Sequence, residues 1–358
     1  MSQATAAAPN WPNPSLLARL GIRLPILQAP MAGAGGVVLA LAVAEAGGLG
    51  ALPCAMLSLE QARAQVAQFR AASRAPLNLN FFCHSPPAPD AARDAAWRSA
   101  LRPYYEEFGL DPEQVAAAPA RAPFDADWCA LVETLRPEVV SFHFGLPETA
   151  LLARVRATGA FVLASATTPA EARWLAERGC DAIIAQGSEA GGHRGNFLSA
   201  DMATQIGTMA LVPQIVDAVP LPVIAAGGIG DHRGVKAAFA LGASAVQVGT
   251  AYLFCPEATI NAVHRLALAE SAGDATALTN LFSGRPARGI VNRLMRDLGP
   301  LSPLAPPFPT AGGALAPLRA HAEAAGQGDF APLWSGQAAA LGRALPAAEL
   351  TRLLMSGG

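Results

Sequence analysis

The sequence predicts an α/β fold, a closed (β/α)8 TIM barrel with an insertion after its third strand and a helical cap at its C-terminal end. Three observations predict it. Eight short apolar runs alternate along the chain with longer segments of helical period. The runs are bounded by Gly or Pro, as parallel strands covered on both faces are. Glycine-rich turns follow the last two runs, where such a barrel builds its phosphate cradle. Right-handed crossovers admit a closed barrel or an open doubly wound sheet, and eight units favour the barrel.

The first run is Pro25–Pro30 (PILQAP), followed by a glycine-rich turn and an Ala/Leu-rich helix to Ala46. The second, Gly48–Leu52, precedes a helix from Ser58 to Ala72, in which Ser58 and Gln61 have the spacing of a capping box. The third is Leu77–Phe82 (LNLNFF), and the fourth is Val139–Phe144 (VVSFHF) with a helix beginning near Pro147. The fifth is Ala160–Ala164, with a helix from Pro169 to Arg178, and the sixth is Ala182–Ala185. The seventh, Pro222–Ala226, leads to a helix from Asp231 to Leu241; the eighth, Ala245–Val248, has its helix after Pro256. Two stretches break the alternation. Residues 83–137 are expected to lie as an insertion over the mouth of a barrel domain spanning 1–265, and residues 266–358 to form a C-terminal helical cap or lid.

Composition fits one large domain. The 358 residues are 52% hydrophobic and 15% charged, enough to bury a large core and to exclude disorder. A net charge of -2 gives no electrostatic reason for a nucleic-acid or anionic-membrane partner. The cysteines, Cys54, Cys83, Cys129, Cys180 and Cys255, are scattered, which fits reduced thiols in a cytoplasmic protein better than a disulfide framework. No basic-then-apolar leader is visible, and no apolar run approaches the ~18 residues of a membrane span. Apolar surface is compatible with a homodimer. The histidines lack metal-binding spacing, and neither HExxH nor GxSxG occurs.

The active site of such a barrel lies at the C-terminal ends of the strands. The seventh strand ends in AAGGIGD and the eighth in QVGTAY. Gly227, Gly228 and Gly249 free the backbone to approach a ligand, and the next helix is expected to point its N-terminus at it. The sixth strand ends in AQGSEAGGHRGNF, which carries Gln186, Glu189, Gly191, His193 and Arg194. Asn80 is a polar amide in an otherwise apolar strand and needs a partner. His143 near the end of the fourth strand and His193 on a neighbouring loop are expected on one rim. His84 falls in the insertion, and His264 and His321 read as helix-surface residues.

The ordered set PILQAPMAGAGG, LNLNFF, VVSFHFGLP, QGSEAGGHRG, PVIAAGGIGD and AVQVGTAY resembles the nitronate monooxygenase family over most of the chain. The resemblance implies non-covalent FMN contacted by Asn80, Gln186, Gly191, Gly228, Gln247, Val248, Gly249 and Thr250. Gly227 and its neighbours would hold the phosphate through backbone amides, and the turn bearing Ala29 and Met31 would pack by the flavin ring. His193 and His143 would be the catalytic residues facing the substrate, with no metal. The implied reaction is oxidative denitrification of an anionic alkyl nitronate, such as propionate 3-nitronate. Dioxygen would be the oxidant, a flavin semiquinone the intermediate, and a carbonyl compound and nitrite the products. The alternative is an NAD(P)H-dependent FMN reductase of enoyl thioesters or quinones. Family members place tyrosines and a lysine in the C-terminal part of the pocket, whereas this sequence has Phe308 and no lysine there. Trp334 and Gln337, in WSGQ, are candidates to close the site.

Overall fold

Each of the eight apolar runs forms a parallel strand in the computed structural model, which describes residues 11–112, 121–271 and 274–356. They are β1 (Ile26–Gln28), β2 (Gly50–Pro53), β3 (Leu77–Phe82), β4 (Val139–His143), β5 (Phe161–Ala166) and β6 (Ala182–Gln186). A two-residue strand, β7 (Gly192–His193), precedes the last two, β8 (Val223–Ala226) and β9 (Ala245–Val248). The order is β1-β9-β8-β6-β5-β4-β3-β2. A parallel bridge between Leu27 and Leu49 joins the ends, with Gln28 N donating to the Leu49 carbonyl at 2.9 Å and Leu49 N to the Ile26 carbonyl at 3.0 Å. The barrel is therefore closed.

Strand periodicity sorts the side chains. In β3, Leu77, Leu79 and Phe81 join the core shared with the outer helices, while Asn78 and Asn80 take the other face. The interior is filled by Leu27, Leu49, Val139, Leu163, Ile184 and Ile224. A helix outside the eight units, Pro14–Leu20, adds Leu16, Leu17 and Leu20 to that interior core. The capping box at Ser58 forms, with Gln61 N on Ser58 Oγ at 3.1 Å and Ser58 N on Gln61 Oε1 at 2.9 Å.

Parts of the two stretches outside the alternation belong to the barrel wall. Helix Ala126–Leu135 packs on the neighbouring barrel helices, Leu59–Ala72 and Thr149–Ala157, and so belongs to the wall. The final helix, Ala347–Ser356, packs between Val37–Ala46 and His232–Ala240, in the place of an eighth outer helix. Its Thr351 hydroxyl meets the Tyr252 hydroxyl at 2.8 Å. Between them lies a second core. Trp97 and Tyr105 of helix Ala91–Phe108 pack with Leu294, Leu318 and Phe330, and their N–H and O–H donate to the Ala311 and Ala314 carbonyls at 3.0 and 2.7 Å. A boundary at residue 265 falls inside helix Ala262–Glu270. The C-terminal stretch also contains strands, β10 (Thr276–Thr279) and β11 (Ala287–Ile290), which build a small antiparallel sheet with β7. That sheet anchors the loop carrying His193. No helix among the described residues is long and apolar enough to cross a membrane.

Candidate active site

A cavity of about 410 Å³ opens at the C-terminal ends of the barrel strands, within the roughly 300–1,000 Å³ of small-molecule sites. It gathers nearly every residue expected there: Asn80, His143, Gln186, Gly191 and His193 from β3, β4 and β6 with its loop, Gly227 and Gly228 after β8, Gln247, Gly249 and Thr250 at β9, and Ala29 and Met31 after β1. Val248 is the exception. Its side chain is buried in the outer core, and it reaches the site only through its carbonyl, which accepts from Ala29 N at 2.8 Å.

The three amides differ in what they have left to offer. Gln186 spends both ends on its own loop, donating to the His193 carbonyl at 3.0 Å and accepting from Gly195 N at 2.7 Å. Asn80 donates to Ser141 Oγ at 2.9 Å. Gln247 Oε1 is buried with no partner among the described residues. A buried acceptor without a donor costs about 1–3 kcal/mol unless a ligand supplies one.

The glycines are where the backbone requires them. Gly227 and Gly228 have φ of +111° and +69°, left-handed values that a side chain strains to adopt. A Cβ on Gly191 would lie 2.5 Å from Gly336 N, because the segment after Trp334 crosses this loop. The crossing is held by Gly336 N on Thr250 Oγ1 at 2.9 Å and Gln337 N on the Glu189 carbonyl at 3.0 Å. The expected helix N-terminus is already occupied. Asp231 caps His232–Ala240, accepting from Arg233 N at 2.9 Å and Gly234 N at 3.4 Å.

The two histidines are inequivalent. His143 Nδ1 lies 3.1 Å from Ser165 Oγ and Nε2 lies 3.2 Å from the His193 carbonyl, so both nitrogens are engaged inside the protein. The carbonyl can only accept, which assigns the proton to Nε2. His193 Nε2 meets Ser283 Oγ at 2.8 Å, and that hydroxyl donates to the Arg285 carbonyl at 3.2 Å. Placing the serine proton on that carbonyl assigns Nε2–H to His193 and leaves the Nδ1 lone pair over on a ring that lines the cavity. Burial pushes His143 down to about 3, with Arg285 and Arg194 adding to the lowering and the bond to the His193 carbonyl opposing it. Burial first, then the Arg121 charge, holds His193 well below its usual value. Both rings are neutral at physiological pH.

Sequence reasoning missed several residues. His84 is buried 4.7 Å from the Phe308 ring, and burial lowers it to about 4. Phe82, Phe144 and Phe308 form an apolar cluster around the histidines, Phe308 lying 5.4 Å from His193. His264 lines the cavity, its Nε2 3.0 Å from the Trp334 carbonyl, and so is no plain surface residue, whereas His321 is an exposed helix residue as expected, stacked on Phe108 at 4.4 Å. Arg121, in the insertion, also lines the cavity. Only long-range packing brings these positions together, so no local spacing signals them.

The lowered histidines carry a stability prediction. Below its ordinary pKa near 6.5 a histidine in the unfolded chain takes up a proton, while folded His143 and His84 stay neutral down to about 3 and about 4. Their contribution is full above pH ~6.5 and is lost as pH falls, by at most about 1.4 kcal/mol per pH unit for each. Urea midpoints measured from pH 7.5 to 4.5 should decline below pH ~6.5, and His143→Asn should flatten that decline.

The comparisons agree with this geometry. The nitronate monooxygenase family model matches residues 13–357. A nitronate monooxygenase of Pseudomonas aeruginosa is 46% identical over 339 residues, covering 94% of this chain and 96% of the relative. The crystal structure of a nitroalkane oxidase from Streptomyces ansochromogenes superposes with a TM-score of 0.85 at 37% identity, covering 95% of this chain and 96% of that one. FabK from Thermotoga maritima is similar at 26% identity, with a TM-score of 0.70 and coverage of 95% and 94%. The cavity at the barrel mouth, its two histidines and these full-length matches lead to one conclusion: the chain is an enzyme belonging to the nitronate monooxygenase family.

Proposed function

We propose that the chain is an FMN-dependent monooxygenase that converts alkyl nitronates, propionate 3-nitronate among them, with dioxygen into a carbonyl compound and nitrite. One observation carries the reading. The cavity joins the unsatisfied Gln247 acceptor and the glycine turns after β8 and β9 to a neutral His193 with a lone pair to spare. FMN fits that arrangement. Its ring would offer an N–H donor of the kind Gln247 Oε1 lacks, and Asn80, Gly191, Ala29 and Met31 would hold it. Gly227, Gly228, Gly249 and Thr250 would hold the phosphate, and Val248 would act only by pinning Ala29. When bound, FMN supplies the one-electron and dioxygen chemistry.

The chain's own residues do the rest. The cluster of Phe82, Phe144 and Phe308 keeps water from the reacting carbon. His193 Nδ1 is placed to take a carbon-bound proton from a neutral nitroalkane. The C–H bond breaks, the proton goes to Nδ1, and the electron pair spreads onto the nitro oxygens as the nitronate. A preformed nitronate needs no such step. Ser283 sets the His193 tautomer, and His143 acts as a positioning residue, holding the His193 carbonyl and with it the ring's direction.

The test is direct. Heating the purified protein should release FMN, and aerobic turnover of propionate 3-nitronate should consume dioxygen and yield nitrite. A colourless protein, or turnover without nitrite, removes the proposal.

A further inference from the structure

We infer that Arg121 is the residue that binds the negative charge of the substrate, an inference that rests on the nitronate reading above. A nitronate is a planar anion with its charge spread over two oxygens. Phe82, Phe144 and Phe308 pack around the histidines, and an anion placed beside them needs a compensating positive charge.

The candidates can be eliminated in turn. His143 has both nitrogens engaged, and His193 meets Ser283 through Nε2 and is held neutral by burial. Arg285 lies 4.0 Å from the centre of the Phe144 ring and donates to the Asn196 carbonyl, and it does not line the cavity. Arg319 does line it, but is paired with Glu323 at 2.9 Å. Arg121 remains. Arg121 lines the cavity, and its guanidinium lies 5.8 Å from the centre of the Phe308 ring. Among the described residues no carboxylate pairs with it, and burial alone accounts for its lowered pKa. A guanidinium stays charged under such lowering and presents two parallel donors that match a planar O–N–O edge.

The segment bearing Arg121 is fixed from behind. Phe124 N donates to the Phe82 carbonyl at 2.8 Å, and the Phe124 ring packs 4.9 Å from Phe81 and 5.2 Å from Phe142. The insertion after β3 thus delivers a cation beside the reacting centre. Its charge also keeps a proton off His193 in the free enzyme. Once a nitronate forms, that charge stabilises the anion as the proton moves to His193.

The test uses the FMN-loaded enzyme, Arg121→Met and Arg121→Lys. Two quantities are read: KM with a preformed nitronate, and calorimetric affinity for nitrate, an inert planar anion with the same O–N–O edge. Arg121→Met should raise KM and weaken nitrate binding by about 10- to 100-fold, the range of a lost charge-assisted bond. FMN content should stay unchanged, kcat should change less than KM, and Arg121→Lys should recover part of the affinity. An unchanged KM, or a fall in kcat with KM intact, overturns the inference. If the wild-type enzyme turns over no nitronate, the functional reading fails on its own, and nitrate still decides the role of Arg121. Loss of nitrate binding in Arg121→Met sustains the anion site; equal binding by both proteins, including none by either, overturns it.

Discussion

His193→Asn is expected to leave FMN bound while lowering kcat/KM for a neutral nitroalkane such as nitroethane by about 10²- to 10⁴-fold, the usual worth of a positioned general base. Asparagine places a non-basic amide where Nδ1 stood and is too short to reach Ser283 as Nε2 does. Preformed nitronate needs no proton removed, so its turnover should fall much less. The ratio of the two losses is the informative quantity. Equal losses on both substrates would assign His193 to binding or to tuning the cofactor, and no loss on either would remove it from the mechanism. Because burial keeps the ring neutral, the wild-type kcat with preformed nitronate should vary little between pH 6 and 8.

Arg194→Met should be the most destabilising single change at the site. Arg194 is 0% exposed, and its guanidinium donates to the Gly187 carbonyl at 2.6 Å, the Gln186 carbonyl at 2.7 Å and Gln205 Oε1 at 3.0 Å. No carboxylate pairs with it among the described residues; the ion is solvated by the loop that it ties together. Methionine fills much of the volume but strands two buried carbonyls and the half-buried Gln205 amide oxygen, at a cost of about 3–5 kcal/mol. Thermal unfolding should drop by roughly 5 °C or more, and FMN occupancy should fall with it, since the same loop carries Gly191 and His193. Arg194→Lys should recover little, because one ammonium cannot reach three divergent acceptors. A melting temperature unchanged in Arg194→Met would refute this account of the loop.

The barrel was legible because parallel strands buried on both faces must be short, apolar and bounded by turn residues, and all eight runs became strands. The glycine turns at Gly227, Gly228 and Gly249 and the histidines His143 and His193 were legible for the same local reason: each follows a recognisable strand. What stayed hidden depends on contacts across the chain. The engagement of both His143 nitrogens needs Ser165 and the His193 carbonyl. The tautomer of His193 needs Ser283, ninety residues away. Arg121 sits in an insertion without strand periodicity, and nothing near it in sequence marks the cavity. Which core each helix outside the alternation joins was not legible, because periodicity reports that a helix is amphipathic and not which core it serves. Ala347–Ser356 closes the barrel wall, while Ala91–Phe108 joins the second core.

The central claim is that nitronate, not reduced nicotinamide, is the electron donor to the flavin. The direct measurement is the anaerobic absorption spectrum of the purified enzyme, titrated first with propionate 3-nitronate and then, in a fresh sample, with NADH. The account predicts that nitronate changes the flavin absorption and NADH leaves it untouched. Bleaching by NADH with no response to nitronate would contradict it, and would make the enzyme a nicotinamide-dependent reductase of enoyl thioesters or quinones.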